Sequence, residues 1–140
     1  DLASIRSTAD KVAGGWRLNG RKVWTSWAHR FHYMVTLVRT APPSDNRHAG
    51  MSQLLIDLSA EGVSTQPIIS IDGEHHFNEV IFDNLFVPDE MVVGEIGQGW
   101  QQVIGELAYE RSGPERFLST LPVLTAFLRR MDQPPIQQIR

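Results

Sequence analysis

Two tryptophans flank a pair of hydroxyl residues in the stretch NGRKVWTSWAHRF, residues 19–31. Trp24 and Trp27 offer flat aromatic faces, and Thr25 and Ser26 between them offer hydroxyl groups. Aromatic faces beside hydrogen-bond donors suit a flat ligand, which packs on a ring and receives hydrogen bonds at its edge. Without further motifs, however, an ordinary β-barrel core is the better explanation of all four residues.

A second candidate pair, Glu110 and Arg111, lies at the end of a predicted helix. At about 100° per residue counted from Trp100, Arg111 falls near the centre of an apolar stripe, with Glu110 on its flank. A charge that points inward needs a partner. One interpretation is a structural ion pair with Glu106, Glu110 or Glu115. The other is an arginine and a glutamate in the wall of a ligand cavity between a β unit and the helices.

The histidines are weaker candidates. The run Glu74-His75-His76 suggests a metal, but adjacent histidines on a strand point to opposite faces and no third ligand is evident. We therefore predict no metal site and interpret the run as structural, at the rim of a pocket. His29 and His32 are placed either to line a substrate channel or to cap a loop, and the second interpretation is favoured.

Composition restricts the function classes. Among 140 residues, 41% are hydrophobic, enough for a core, and the net charge of −3 comes from interspersed acidic and basic residues. This argues against a nucleic-acid or anionic-membrane surface. Without cysteine there are no disulfides, zinc-thiolate sites or thiol nucleophiles, and no apolar run is long enough to cross a bilayer. Because the chain opens on Asp-Leu-Ala without an initiator methionine, we expect a fragment.

The first two thirds of the chain have the pattern of short strands. Trp16, Leu18 and Val23 around Asn19-Gly20 predict a hairpin with a type I′ turn. Further strands, bounded by turn-forming residues, are predicted at residues 33–38, 51–58, 66–71 and 77–87. Strand-length pieces at these intervals predict a compact antiparallel barrel or sandwich.

The last third has helical periodicity. Trp100, Val103, Ile104, Leu107 and Ala108 form one apolar helix face. A second apolar stripe consists of Phe117, Leu118, Leu121, Leu124 and Leu128. The two stripes are separated by Ser112-Gly113-Pro114, where the helix kinks, breaks or restarts. Two such stripes need more apolar surface than this chain offers, so we expect a helical bundle that continues past Arg140.

Several short motifs, in order and at consistent spacing, resemble the acyl-CoA dehydrogenase family. They are KVWTSWAH, residues 73–83 (GEHHFNEVIFD), Val87-Pro88, Val93-Gly94-Glu95, Gly99-Trp100 and Tyr109-Glu110-Arg111. The resemblance runs from Asp1, which is similar to the last residue of the family's Gly-Ser-Asp flavin loop, to about Leu128. A single motif of this length would occur by chance, whereas the set in register does not.

The resemblance implies an α+β fold, with an antiparallel β-barrel domain followed by the opening helices of an α-helical bundle. Residues 1–95 would form the family's middle β-barrel domain, and residues 96–140 the start of its C-terminal helical domain. In this family FAD lies between these two domains. Trp24 then corresponds to the tryptophan that packs on the flavin, and Ser26 to the residue that hydrogen-bonds near flavin N5. Thr25 contributes backbone contacts, and Trp27 packs or shapes the pocket.

The implied reaction is α,β-dehydrogenation of an acyl-CoA thioester to a trans-2-enoyl-CoA. A glutamate removes the α-proton while the β-hydrogen leaves as hydride to flavin N5. Most branches of the family carry that glutamate in a later bundle segment, but the long-chain and isovaleryl types carry it on the first bundle helix, just before an arginine. Glu110 matches the second location and Arg111 becomes a substrate-binding candidate; a purely structural Glu110–Arg111 pair stays open.

The resemblance also implies partners. These are the acyl-CoA substrate, an electron-transferring flavoprotein or similar acceptor, and further copies of the chain in a dimer or tetramer. A bacterial-type cytoplasmic location is favoured, with the mitochondrial matrix as the alternative. Two other functions stay open: a flavin-dependent oxidase or monooxygenase on the same scaffold, and a non-catalytic subunit without flavin. Retention of Trp24 and Ser26 argues against the non-catalytic subunit.

Overall fold

A computed structural model describes residues 2–131, apart from the side chains of Arg116 and Phe117. The roles predicted for Asp1 and for the Phe117 side chain therefore lie outside the described residues. The strands are β1 (Thr8–Val12), β2 (Gly15–Ser26), β3 (Tyr33–Arg39), β4 (Met51–Asp57), β5 (Val63–Ile68), β6 (Phe77–Pro88) and β7 (Val92–Val93). The helices are α1 (Gly99–Arg111), α2 (Glu115–Leu118) and α3 (Leu121–Met131).

The strands form one sheet in the order β5-β6-β2-β1-β3-β4-β7. Neighbouring strands are antiparallel, except that β1 meets β3 in parallel at Thr8 and Arg39. Because β1 is short, β2 extends past it. In that region the Lys22 Nζ donates to the backbone oxygen of Leu37 on β3, at 2.6 Å. This bond links two strands that have no ladder between them.

One apolar core lies inside the curve of the sheet. Its buried members are Ala9, Trp16, Leu18, Ala28, Val38, Leu54, Ile56, Val80, Phe82, Leu85 and Val87. Strands β4 and β6 are well separated in the sheet order, yet both contribute to this core, so the sheet curls around it. The α+β class and the predicted β domain followed by helices are confirmed.

Gly99, the first residue of α1, allows the helix to begin in close contact with the sheet. A Cβ atom at Gly99 would lie 2.7 Å from Leu37 Cδ1 and 2.8 Å from the backbone of Ser52. Only glycine allows the helix to begin this close to β3 and β4. Leu37 and Ser52 are both buried, and because Leu37 precedes the core residue Val38 on β3, its side chain lies on the face opposite the core.

The predicted hairpin at Asn19-Gly20 is wrong. The chain reverses at Gly14 (φ +74°) between β1 and β2, and β2 continues through Asn19 and Gly20 without a turn. A Cβ at Gly20 (φ +138°) would lie 2.7 Å from Ser7 Cα, so the glycine serves a close approach between chain segments. The Asn19 side-chain oxygen accepts a hydrogen bond from the Asn84 N–H at 2.8 Å. The dipeptide therefore stabilises a strand pairing, where the sequence pattern predicted a turn.

The other elements follow the prediction more closely. Strands β3, β4 and β6 are within two residues of their predicted ends, whereas β5 begins three residues before the predicted position. The helix at Trp100 is confirmed as α1. After it, the chain breaks at residues 112–114 and restarts as α2 and α3.

The chain divides into two compact units, one comprising residues 1–103 and one beginning at Ile104. The first unit contains the sheet. The predicted domain boundary between residues 95 and 96 stays a prediction. Of the helices that the structure describes, none has the length and apolar character needed to span a membrane.

Candidate functional site

The segment from Trp24 to Ser26 begins at a β-bulge between β2 and β6. The ladder is regular up to Lys22 and resumes at Thr25, so Val23 and Trp24 together stand opposite the single residue Glu79. A bulge of this kind adds one residue to one strand and redirects a side chain. Here the redirected side chain is that of Trp24.

Trp24 is in a strained conformation and yet is exposed. Its φ of +63° lies in the left-handed region, which a bulky residue adopts only at a cost of about 1–3 kcal/mol. Its side chain is 63% exposed and meets the Phe77 ring edge-on, at 5.7 Å between centroids. The predicted alternative, that Trp24 belongs to the barrel core, is therefore wrong. The fold holds an aromatic face outward at an energetic cost.

Thr25 and Ser26 lie between Trp24 and Trp27, which both have a positive φ. Thr25 pairs with Asn78 and Ser26 with Phe77 on β6. Trp27 follows with φ +56° and donates its backbone N–H to the His76 oxygen at 2.8 Å. Thr25 is half-buried and Ser26 is exposed. The backbone of this segment is thus fixed at both ends.

The Asn78 side chain lies under this segment, with an exposed fraction of 0%. Its Nδ2 donates to the Thr25 backbone oxygen and to His29 Nδ1, both at 3.1 Å. Its Oδ1 lies 2.8 Å from His75 Nε2. The His29 and His75 rings stack at 3.9 Å between centroids and 16° between planes. Together, Asn78, His29 and His75 form a compact polar cluster, called the Asn78 cluster below.

Every charge that acts on His29 in the described residues is positive. Desolvation by its surroundings lowers the pKa of His29, and the neighbouring His75, Arg30 and His76 lower it further, whereas the hydrogen bond with Asn78 raises it. A neutral imidazole is therefore favoured at this position.

Trp27 packs differently from Trp24. Its ring meets His76 edge-on at 4.7 Å, and the Arg30 guanidinium lies 4.5 Å from the ring centroid. These contacts cover the ring, in agreement with the packing role expected for Trp27. His75 and His76 precede β6, and they contact different rings.

Glu110 and Arg111 lie at the end of α1, in the second unit, and both are exposed. In the part of the chain that the structure describes, the ion pairs include Lys11–Asp89 and Arg21–Glu79. The predicted pairing of Arg111 with Glu106, Glu110 or Glu115 is not among them. The structure thus brings Trp24, Thr25 and Ser26 together in the first unit and places Glu110 and Arg111 separately on α1.

Two residues of this region were missed by the sequence analysis. Asn78 shares strand parity with the buried Val80 and Phe82 of β6, so a polar residue at an inward position was the available signal. Phe77, which supports Trp24, carried no separate signal. Within residues 2–131, no group of three or more histidine or acidic side chains is arranged to hold a metal ion.

Comparison with known proteins identifies the family. Residues 1–85 match the family described as "Acyl-CoA dehydrogenase, middle domain". An acyl-CoA dehydrogenase of Mycobacterium tuberculosis is 47% identical over 111 residues, covering 79% of this chain and 16% of that protein. The mitochondrial isovaleryl-CoA dehydrogenase of Solanum tuberosum is 29% identical over 140 residues, covering 95% of this chain and 34% of that protein.

A solved structure, the steroid ACAD Tcur3481-Tcur3483, superimposes with a TM-score of 0.77 at 30% sequence identity. The match covers 96% of this chain and 36% of that one. The chain therefore belongs to the acyl-CoA dehydrogenase family, whose members are flavoproteins. It spans between 16% and 36% of the length of these three proteins.

Proposed function

We propose that the full-length protein is an FAD-dependent acyl-CoA dehydrogenase that converts an acyl-CoA thioester to a trans-2-enoyl-CoA. The observation that carries this proposal is the conformation of Trp24, which is strained, exposed and followed directly by two hydroxyl residues. Strained, non-glycine backbone persists where the surroundings enforce it, and it concentrates at functional sites. The strained residue is also the one that the family's Trp-x-Thr/Ser pattern assigns to the flavin.

The residues present fit a flavin. Trp24 offers a flat apolar face that excludes water from one side of an isoalloxazine ring. Ser26 offers a hydroxyl donor for the edge of the ring near N5, and Thr25 offers backbone groups. Bound FAD would supply the acceptor for the hydride that leaves the substrate β-carbon. The chain's own contribution is to orient the ring and to donate hydrogen bonds that favour its reduced form.

Glu110 is the proposed base for the substrate α-proton, with Arg111 beside it as a substrate-binding residue. The isovaleryl-CoA dehydrogenase relative, which aligns over 95% of the chain, supports this location. A carboxylate exposed to water is a weak base, and burial raises its pKa. Because Glu110 is exposed in the described part, the proposal requires that further parts of the full-length protein cover it.

The proposed partners follow from the reaction. The acyl-CoA is the substrate, and an electron-transferring flavoprotein or similar acceptor removes the electrons. We further propose a dimer or tetramer, as the family resemblance implies. We also propose a cytoplasmic location, which the bacterial relative supports, with the matrix as the alternative because of the mitochondrial plant relative. CoA thioesters of steroid side chains belong among the substrates tested, because a steroid ACAD matches 96% of the chain.

The test uses the purified full-length protein. Its flavin spectrum is recorded, and bleaching is followed anaerobically with straight, branched, aromatic and steroid acyl-CoA thioesters. Glu110→Gln should retain FAD and lose at least about 100-fold in the rate of bleaching. Glu106→Gln, one turn earlier on α1, is the matched control and should bleach at the wild-type rate. A colourless wild-type protein would refute the flavin site, and bleaching by Glu110→Gln at the wild-type rate would place the base elsewhere.

A further inference from the structure

The Asn78 amide has a single orientation that satisfies all its contacts. The Thr25 carbonyl can only accept a hydrogen bond, so the Asn78 NH₂ group must face it. The second hydrogen of that NH₂ group points to His29 Nδ1, which must then be the acceptor. The Asn78 oxygen is left to accept from His75 Nε2.

This orientation dictates the state of both histidines. His29 is neutral, with its proton on Nε2, because a proton on Nδ1 would face the amide hydrogen of Asn78. His75 carries a proton on Nε2. The pKa of His29 is lowered by its desolvation and by the nearby His75, Arg30 and His76, while its hydrogen bond with Asn78 acts in the opposite direction, so the assignment rests on the geometry of the amide.

The contact with Thr25 connects the Asn78 cluster to the backbone of the Trp24–Ser26 segment. The Thr25 carbonyl lies between Trp24 and Trp27, the two tryptophans in the left-handed region. Two tryptophans with positive φ in one short segment would adopt backbone conformations of lower energy unless other contacts held the segment in place. The ladder to β6 holds the strand on one edge, and the Asn78 side chain adds a bond from a fully buried position.

We propose that Asn78 is a positioning residue, which fixes the Trp24–Ser26 backbone beside the flavin by holding the Thr25 carbonyl and a neutral His29. This inference rests on the proposed function, because it assigns Asn78 to the flavin site. Asn78 itself touches neither substrate nor flavin; it acts through Thr25. His29 and His75 contribute by fixing the amide orientation of Asn78.

The experiment compares wild type, Asn78→Asp and His29→Phe in the full-length protein. Aspartate keeps the shape of asparagine but cannot donate to Thr25 or to His29. We expect Asn78→Asp to weaken FAD binding at least about tenfold and to lower kcat with little change in KM. Phenylalanine keeps the ring stack and removes the Nδ1 acceptor, so His29→Phe should weaken FAD binding by a smaller factor, about threefold. Asn84→Asp, an exposed asparagine on the same strand, is the matched control and should behave as wild type.

A second measurement needs no flavin. The rate at which diethyl pyrocarbonate modifies His29, followed across pH by peptide mapping, reports the pKa of His29. In Asn78→Asp the new carboxylate should raise that pKa by about one unit or more. The inference is overturned if both variants keep wild-type FAD affinity and kcat. If wild type holds no flavin, the proposed function fails separately, and an unchanged His29 pKa in Asn78→Asp would then overturn the inference as well.

Discussion

The pair of strands β2 and β6 contains two bulges, and they differ in the residue that adopts the left-handed conformation. On β6, residues 83 and 84 stand opposite Asn19 alone, and Asn84 has φ +50°. On β2, Val23 and Trp24 stand opposite Glu79, and Trp24 has φ +63°. Asparagine tolerates this region, whereas tryptophan is one of the residues that it suits least.

The difference separates a bulge that serves the fold from one that we propose serves the flavin site. At the Asn84 bulge, the Asn84 N–H donates a hydrogen bond to the Asn19 side-chain oxygen, and the neighbouring Leu18 and Leu85 are buried. The Trp24 bulge leaves its large apolar side chain exposed. Where only stability matters, this chain has a residue of low conformational cost. At Trp24 the strained and exposed tryptophan is explained by the proposed function, in which its ring packs on the flavin.

The largest effect expected is on the packing beside the Asn84 bulge. Leu18→Ala removes a side chain that is 0% exposed and should lower the free energy of unfolding by about 2–5 kcal/mol. Trp24→Ala removes a larger side chain and should cost less than about 1 kcal/mol, because that side chain contributes little burial. Urea unfolding of both variants measures the contrast. Equal losses would show that Trp24 supports the fold as Leu18 does.

The next effect concerns Gly20, which pairs with Phe82 next to the Asn84 bulge. Gly20→Ala should destabilise the chain by about 2–3 kcal/mol, because its Cβ would press on the Ser7 backbone and its φ disfavours alanine. Gly73→Ala is the control, since Gly73 also has a positive φ but no heavy atom within 4 Å. Its cost should be the conformational one alone, about 1 kcal/mol. Thermal unfolding that gave the two variants the same loss would contradict a close approach at Gly20.

A third effect depends on pH and arises at Lys22, next to the Trp24 bulge. Burial lowers the pKa of Lys22 to about 8, against 10.5 for the free side chain. Between these values the unfolded chain binds more protons than the folded chain, so stability rises with pH. The gain from this group should be on the order of 2–3 kcal/mol between about pH 8 and pH 10.5.

Lys22→Met, which keeps the length of the side chain without its charge, should remove that gain. The measurement is urea unfolding of both proteins at several pH values. The same rise with pH in Lys22→Met as in wild type would assign it to other groups.

The smallest effect tests the strain itself. Trp24→Gly should stabilise the chain by about 1 kcal/mol, because glycine adopts φ +63° without cost and little burial is lost. Asn84→Gly should change stability by only a few tenths of a kcal/mol, since asparagine already suits the position. In the full-length protein, Trp24→Gly should also weaken FAD binding. A loss of stability in Trp24→Gly would mean that the tryptophan is held without strain.

The sequence predicted the elements better than the pairings. Runs of β-branched residues identified β3, β4 and β6, and helical spacing identified α1, because these patterns are local. The Asn19-Gly20 dipeptide misled because the same conformational freedom serves a turn and a bulge. Contacts with Ser7 and Asn84, which are distant in sequence, favour the bulge over the turn at this position.

The candidate site was predicted by resemblance and not by pattern. Aromatic residues in a strand ordinarily indicate core, and nothing local to Trp24 distinguishes a buried ring from an exposed one. Its exposure depends on the pairing of β2 with a strand more than fifty residues away. Asn78 was missed for the same reason, since the groups that it binds come from other parts of the chain.

The Trp24 bulge depends on chain length as much as on residue type. Val23 and Trp24 occupy a place where an uninterrupted ladder would hold one residue. Deletion of Val23 would leave Trp24 alone opposite Glu79 and make the pairing regular, so Trp24 would have the ordinary geometry of a strand residue. The residues on either side would keep their cross-strand partners. In this chain, the proposed flavin-facing surface is therefore one in-frame deletion away from a plain strand.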